Sequence, residues 1–598
     1  MQKVKWIFFG YLGVVAAVVL GIAVSFRAAP PRDPKTLYIP YAGSIRTFDP
    51  AEVNDTIGGP LVGYVYECLY NYKYGVRPYT LFPELAAEMP EISDDGLTMT
   101  IKLRKGIHFY DPHKQVFPDG VGPEIKAGDV IYSLKRICDF NLASPNYSAF
   151  QGVFQGLDQW WDYTQHTPAK EIDWQKPIEG MQAVDDYTVR FKLTHINPQL
   201  IFHFAQEMSG IVCRKAVEYY GESFRQHPVG SGAYALAENL PEQRLTYVAN
   251  PIYRGAPDID GEHAIPPQDP NHMPHIQRIE LEYFDEQLPV WILLQQGLFD
   301  GLSDVPKDSI RGAIQSGNLT PELQKKGLVL NKVTTPTTDF IAFNMKDKIL
   351  GGNRPLRQAM SMAFDRKNYV DIFQMGRGLP ANGMIPPGLA TYNADAKNPY
   401  TEYNLSRARE LMKEAERIQG GPIPPMTLLM RDSDTLSRQM AEYFCSQMAQ
   451  IGVTLHPEYR DWARYQDMVD NRQTQVFDAG WQGDYPDEQN FLQLCYSANI
   501  PNAGLNEFCY KNEQFDKLYE QAINMQDTPQ RRALYEQMEQ ILNEDCPAIW
   551  EYYIVYFTLK YDWVQNSHWM DYGYGLRQYT TLDSKLRLKR FNEGDFRK

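Results

Sequence analysis

The sequence predicts an α/β fold divided into two or three domains. Its 598 residues exceed what one ordinary core accommodates. Short apolar runs alternate with amphipathic stretches through the last third, which argues βαβ units and a mostly parallel sheet. One of those runs, Val476-Phe477-Asp478-Ala479, leads into Gly480-Trp481-Gln482-Gly483-Asp484-Tyr485-Pro486-Asp487. Ligands of open α/β sheets bind where strands end, so this stretch is the first place to look for a site.

Taken in order, the chain opens with Lys3 and Lys5, then an uncharged run from Trp6 to Phe26, then Arg27 and Arg32 among prolines. The run is about long enough to cross a bilayer, with the lysines inside. Residues 1–35 are therefore expected to be an N-terminal membrane anchor, with a cleaved signal peptide as the alternative. No cysteine near its end suggests a lipid anchor. Thr36–Tyr41 is a short strand, Thr47-Phe48-Asp49-Pro50 a turn, and residues 62–70 read as a helix carrying Tyr64, Tyr66 and Leu69. Leu97 to Leu103 alternates in the strand manner. Asp129 opens a helix with Val130, Ile131 and Leu134 on one face. Further on come a strand at 426–430, a helix at 433–451, a strand at 453–458, a helix at 462–469 and a strand at 476–481. Thr528-Pro529 starts another helix with proline in its first turn. Residues 548–559 form a long aromatic strand leading back to the first lobe.

Composition narrows the function. With 43% hydrophobic and 22% charged residues the chain is globular. A net charge of −15 lacks the basic footprint that phosphate backbones need, so no nucleic acid is expected. Aromatics reach 13%, with 39 tyrosines, consistent with a lined cleft or a tyrosine-rich core. An exported location permits disulfides, and Cys495 with Cys509 is the best candidate pair among seven cysteines. There is no C-x-x-C and no histidine cluster, so neither a metal nor another cofactor is expected. The Asp258-x-Asp260-Gly261 start of a calcium loop is not continued. No G-x-S-x-G, H-E-x-x-H or phosphate loop occurs, and no catalytic residue is assigned. Asp484 and Asp487 could pair as in a glycosidase on spacing alone.

A run of motifs then identifies a family. Ser93-Asp94-Asp95-Gly96, Leu97-Thr98-Met99-Thr100-Ile101-Lys102-Leu103-Arg104-Lys105-Gly106 and Lys126-Ala127-Gly128-Asp129-Val130 resemble the signature of extracytoplasmic solute-binding proteins of the peptide/nickel class, which serve ABC importers. Pro228-Val229-Gly230-Ser231-Gly232-Ala233-Tyr234, Pro355-Leu356-Arg357-Gln358-Ala359 and Met384-Ile385-Pro386-Pro387-Gly388 continue the match in order. The chain departs from it by insertions at 110–116 and 121–125.

The resemblance implies a two-lobed periplasmic-binding-protein clamp with an extra inserted α+β domain. Lobe I would comprise residues 36–75, 195–337 and 555–598, the inserted domain 76–194, and lobe II 338–554, with crossings near 335–339 and 553–556. It implies no enzyme. The chain would be a monomer that binds a peptide or peptide-like solute between its lobes and hands it to permease subunits. In peptide-binding members the carboxylate matching Asp484 meets the ligand's α-ammonium group, with Trp481 and Tyr485 lining the site. Some members carry an arginine at the position of Asp478, where it can meet the ligand's carboxylate; Arg472 could substitute. Asn54 and Asp55 would face the cleft from lobe I, although Asp55 could equally cap the next helix. The alternatives are a membrane-tethered hydrolase of peptides or glycans, and a sensor built on the same clamp.

Overall fold

The computed structural model describes residues 32–593 and 596, apart from 44, 56, 256–272, 307–308, 316, 501–503 and 574–575. The expected N-terminal anchor and the Asp258–Gly261 segment lie outside the described residues. Among the described residues no helix is long and apolar enough to cross a membrane.

The first lobe is built on a four-stranded sheet. Thr36–Tyr41 runs parallel to Arg278–Tyr283, followed by antiparallel Arg244–Ala249 and Tyr234–Leu240. A second four-stranded sheet, all antiparallel, joins Glu91–Ile92, Thr98–Lys102, Thr188–Lys192 and Met181–Asp185. The helices Ala127–Ile137 and Leu157–Gln165 pack on the same core, which is continuous with that of the first sheet. Asp129 stands at the third helical position, not at the cap. Its carboxylate accepts the Lys126 amide at 2.8 Å, one half of a capping box. Part of the inserted sequence forms a hairpin of its own, His108–Tyr110 against Val121–Glu124. The fully buried Asp111 carboxylate gathers the amides of His113, Val116 and Phe117 at its tip.

The expected helix over 62–70 is not formed. A helix covers Gly58–Val62 instead, and Tyr70 begins the strand Tyr70–Tyr72. Between them the Val65 and Tyr64 carbonyls accept the amides of Gly232 (2.7 Å) and Tyr234 (3.0 Å), so they are taken by a distant segment and not by the next helical turn. The aromatic pattern read as a helix face is instead an irregular segment held flat against 230–234. Asp55 caps the short helix: its Oδ1 accepts the amides of Ile57 and Gly58 at 3.0 and 2.7 Å.

The second lobe is a seven-stranded sheet with helices on both faces. Arg354–Ala363, Leu405–Gln419 and Thr435–Ala449 bury Leu356, Met360, Leu411 and Phe444 on one face. Trp462–Asp470, Glu513–Ala522 and Pro529–Asp545 bury Tyr465, Phe515, Tyr535 and Met538 on the other. The sheet is only half parallel, which corrects the expectation. Met426–Met430 is parallel to Leu455–Tyr459 and Val476–Gln482. Val476–Gln482 then pairs antiparallel with Leu328–Phe343, which pairs antiparallel with Ala548–Tyr561. Leu328–Phe343 enters from the first lobe, Ala548–Tyr561 returns to it, and neither belongs to a βαβ unit. They run from a core containing Leu328, Phe557 and Tyr561 to the two cores of the second lobe. Their register shifts between Thr334 and Thr338 and again between Asp339 and Phe340.

All seven cysteines are free thiols, so the expected Cys495–Cys509 bond is absent. Cys495 is buried beside Phe491 and Phe508 in the second-lobe core, while Cys509, in a left-handed conformation (φ 54°), lies near Arg472.

The close approach of 230–234 to 64–65 makes a prediction. A Cβ at Gly230 would sit 2.1 Å from the Val65 carbonyl oxygen, a backbone atom with no freedom to move. Gly230→Ala is expected to destabilise the protein by about 3 kcal/mol or more, measured as a lowered midpoint of chemical denaturation. An unchanged midpoint would show that the two segments separate readily.

Candidate ligand-binding site

The strand Val476–Gln482 places Phe477 and Ala479 in one core and turns Asp478 toward the other face. Gly480 pairs with Asp339 across the ladder, and a Cβ there would lie 2.4 Å from Asp339 Oδ1 and 3.0 Å from Arg431 Nη1. Glycine is needed because a charged pair fills the space above it. The chain then turns out of the sheet, and one side chain holds the turn. Asn490, 1% exposed, accepts the Trp481 indole N–H at 2.9 Å and the Asp484 amide at 3.0 Å on its Oδ1. Its Nδ2 donates to Asp484 Oδ2 at 3.0 Å. Asp484 is exposed, with its carboxylate oriented by Asn490. Partial withdrawal from solvent raises its pKa, and the Asn490 hydrogen bond and nearby His203 pull it back down.

Tyr485 is buried, and its hydroxyl donates to Gln489 Oε1 at 2.6 Å. Its ring stacks on Phe202 at 5.8 Å and meets the His203 edge at 5.5 Å, both residues of the first lobe. Gln206 Nε2, also from the first lobe, donates to the Asp484 carbonyl at 2.9 Å. The Gly483 amide donates to the Pro336 carbonyl on the crossing strand at 2.9 Å, and a Cβ on Gly483 would meet the Tyr572 hydroxyl at 2.6 Å. The loop therefore lies between the lobes and touches both.

Trp481, Asp484 and Tyr485 are brought together. Arg472 is not. It sits beyond the other end of the same strand, in a left-handed conformation, with Nη2 donating to the Gly504 and Ile500 carbonyls at 2.7 and 3.2 Å. Asn54 and Asp55 are both exposed, with Asp55 occupied by the helix start it caps. Asp487 is 4% exposed and turned away from Asp484: it pairs with Arg531 at 2.6 Å and accepts the Tyr535 hydroxyl at 3.1 Å. It is a brace between the loop and the helix Pro529–Asp545, not the second carboxylate of a hydrolytic pair.

Sequence reasoning missed Arg431. It follows the neighbouring parallel strand Met426–Met430, 47 residues before Asp478, and folding sets it against that residue. Nη2 pairs with Asp339 Oδ1 at 2.5 Å and Nε with Asp478 Oδ2 at 3.2 Å. Its side chain stays 27% exposed. The acid where an arginine could have stood is thus the counter-ion of an arginine from the next strand. Glu551 is buried close by, and its carboxyl is pushed well above the ordinary range, first by burial and then by Asp478 and Asp339. Burial also pushes the Asp478 carboxyl up, to about 6, with Arg431 pulling it down and Asp339 pushing it further up. Among the described residues no group of three or more His, Cys, Asp or Glu side chains is placed to hold a metal ion.

The sequence profile of bacterial extracellular solute-binding proteins, family 5 (middle region), matches residues 80–502. The chain belongs to this family. This family 5 protein is 26% identical over 501 residues to heme-binding protein A of Haemophilus influenzae, covering 81% of each chain. It is 25% identical over 550 residues to the dipeptide-binding protein of Escherichia coli, covering 90% of this chain and 91% of that one. Its fold matches HbpA2 from Haemophilus parasuis with a TM-score of 0.74 at 24% identity, over 92% of this chain and all of that one. The murein tripeptide-binding protein MppA in an unliganded open form matches at 0.73 and 20% identity, over 92% and 97%. The family 5 protein is a two-lobed α/β clamp, an extracytoplasmic solute-binding protein of the ABC-transport type.

The buried ionic cluster sets a pH dependence. Between the ordinary carboxyl value of 3.8 and about 6, the folded protein holds a proton on Asp478 that the unfolded chain has released. That contribution is present at low pH and is lost as pH rises through about 6. Asp478→Asn cannot ionise and leaves Asp339 to pair with Arg431. It is expected to gain stability relative to the wild type as pH rises across this window, by about 1–3 kcal/mol. Thermal unfolding of both proteins at several pH values checks it; parallel Tm profiles would refute the assignment.

Proposed function

We propose that this chain is the substrate-binding component of an ABC importer and that it takes a short peptide or peptide-like solute with both termini free. The observation that carries the reading is that Asp484 and Arg431 each follow the end of one of two adjacent parallel strands, Val476–Gln482 and Met426–Met430. Asp484 offers an oriented, exposed carboxylate to an ammonium group. Arg431, with Nε and Nη2 engaged by carboxylates, keeps its Nη1 side beside Gly480 for a ligand carboxylate. Trp481 and the tyrosines supply apolar walls between them. An anion and a cation at the ends of adjacent strands suit a small zwitterion. Two relatives are named for small solutes, one for dipeptides and one for heme.

In this reading the lobes divide as the sequence suggests: residues 36–75, 195–337 and 555–598 in one, 338–554 in the other, and 76–194 inserted in the first. The hinge lies at the register shifts of the crossing strands. A monomer tethered by its N-terminal segment delivers solute to permease subunits, and no bond is made or broken. The sensor reading differs only in the partner that receives the clamp.

The test uses unblocked, N-acetylated and C-amidated forms of the same di- and tripeptides in calorimetric titration. Either block is expected to weaken binding about 10- to 100-fold, the range of a lost charged hydrogen bond. Asp484→Asn should weaken the unblocked peptide comparably and leave the N-acetylated form unaffected. Equal affinity for all three forms would remove both anchors, and cleavage of the peptides would replace binding with hydrolysis.

A further inference from the structure

We propose that Phe202, His203 and Gln206 form an interlobe latch that holds the Asp484 loop against the first lobe, and that a proton on His203 releases it.

The latch is built from one turn of chain. Leu200–His203 is a single helical turn whose Leu200, with Phe204 and Ala205 just beyond it, is buried in the first-lobe core. That anchorage turns Phe202, His203 and Gln206 outward together. Across the gap stand Asp484 and Tyr485, which belong to the second lobe through Asn490 and Gln489. Three contacts close the gap: Phe202 stacked on Tyr485, the His203 ring edge-on to Tyr485, and the Gln206 amide on the Asp484 carbonyl. Tyr485 is 8% exposed although it is a member of none of the large apolar cores. What buries it is the opposite lobe.

His203 governs the third contact. Gln206 has one amide group with which to make two bonds. Its Nε2 is committed to the Asp484 carbonyl, so its Oε1 is an acceptor, and His203 Nδ1 lies 3.0 Å from it. The imidazole must therefore carry its proton on Nδ1, and it fixes the direction in which the amide points. Phe150 covers the ring from the other side at 6.0 Å. The titratable groups facing it are Asp484 and Tyr485 from the loop, while Gln206 of its own segment is a neutral hydrogen-bond partner. Burial lowers its pKa; the Gln206 bond and the Asp484 charge oppose this without overcoming it. Burial in the latched state thus favours the neutral ring. A second proton would place a cation in this buried site, which the Asp484 charge only partly compensates, so the charged ring is favoured when the lobes part and water reaches it. Acidification through the ordinary histidine range should weaken the latch.

The inference deepens the clamp reading, but it is read from lobe geometry without ligand. Its failure is therefore separate from an error in the solute. Fluorophores on non-natural side chains at the exposed positions 219 and 418, one on each lobe, report the interlobe distance in the unliganded full chain. The population at the distance of this structure is expected to fall as pH drops from about 8 to about 5. His203→Phe keeps an aromatic ring on Tyr485 and should make that population independent of pH. Gln206→Ala should reduce it about fivefold relative to the alternative states at every pH, the effect of one lost hydrogen bond. Gln206→Met, of similar length without the amide, replaces the alanine if that variant does not fold. A wild type insensitive to pH, a His203→Phe variant that responds like the wild type, or a Gln206 variant with an unchanged distribution would each overturn the latch. A peptide that shifts the distance while pH does not would leave the clamp intact and remove only the latch.

Discussion

Everything in this molecule hangs on one ladder, the antiparallel pairing of Leu328–Phe343 with Ala548–Tyr561. The two strands are the backbone of both lobes at once. Their outer halves contribute Leu328, Val555, Phe557, Leu559 and Tyr561 to a core with Phe299, Trp291 and Trp563, and their inner halves carry the sheet that holds the candidate site. A ladder that simply continued would weld the lobes together, since its hydrogen bonds act in concert. The register shift between Thr334 and Thr338 interrupts it where the lobes meet. Side chains take over there: the Thr335 hydroxyl reaches the Thr337 hydroxyl, and the Thr338 hydroxyl reaches the Met384 carbonyl. Polar groups at the crossing are thus satisfied without a regular sheet, which is what a pair of strands needs if it is to bend and stay buried.

The same strands explain the charge cluster beneath the site. Asp339 lies on the crossing strand, Glu551 beside the second register shift on its partner, and Asp478 on the next strand out. Three carboxylates face one guanidinium, Arg431, because the neighbouring Arg366 is occupied by the carbonyls of Trp550, Ser361 and Thr401. Burial and the neighbouring acids push the Glu551 carboxyl well up, and burial pushes Asp478 up to about 6. Such a cluster contributes little to net stability compared with apolar packing. Its effect is orientation, since Arg431 is held from two sides by Asp339 and Asp478 while its side chain stays partly exposed.

How much of this was legible in the sequence depends on how local the cause is. The strand Met426–Met430, the helix Pro529–Asp545 with its Thr528 cap and the strand entering the site follow from alternation and capping within a few residues. The segment at 62–70 misled because its carbonyls are claimed by residues 232 and 234, which no local pattern announces. The half-parallel sheet escaped for a related reason, since the direction of the crossing strands is set by the other lobe. In the site, Trp481, Asp484 and Tyr485 are adjacent in sequence and could be read together. Arg431 and Gln206 come from two other places, and folding alone brings them there; Asn490 follows Asp484 within the same turn. Arg472, near in sequence, is used to hold the carbonyls of 500 and 504.

The loop from Gly480 to Tyr485 is therefore not a passive lining. Asn490 fixes its carboxylate, Gln206 holds a carbonyl from the first lobe, and its Gly483 amide is bonded to Pro336 within the register shift. Displacing Asp484 toward a ligand by even a fraction of an ångström changes the geometry of all three bonds, one in each lobe and one at the hinge. A hydrogen bond weakens steeply with misalignment, so the loop cannot respond to a ligand without altering the balance that sets the lobe angle. In the proposed clamp, recognition and domain motion would be coupled through shared atoms. That coupling requires no route through the cores, because the residue that would read the ligand's charge is itself bonded across the cleft.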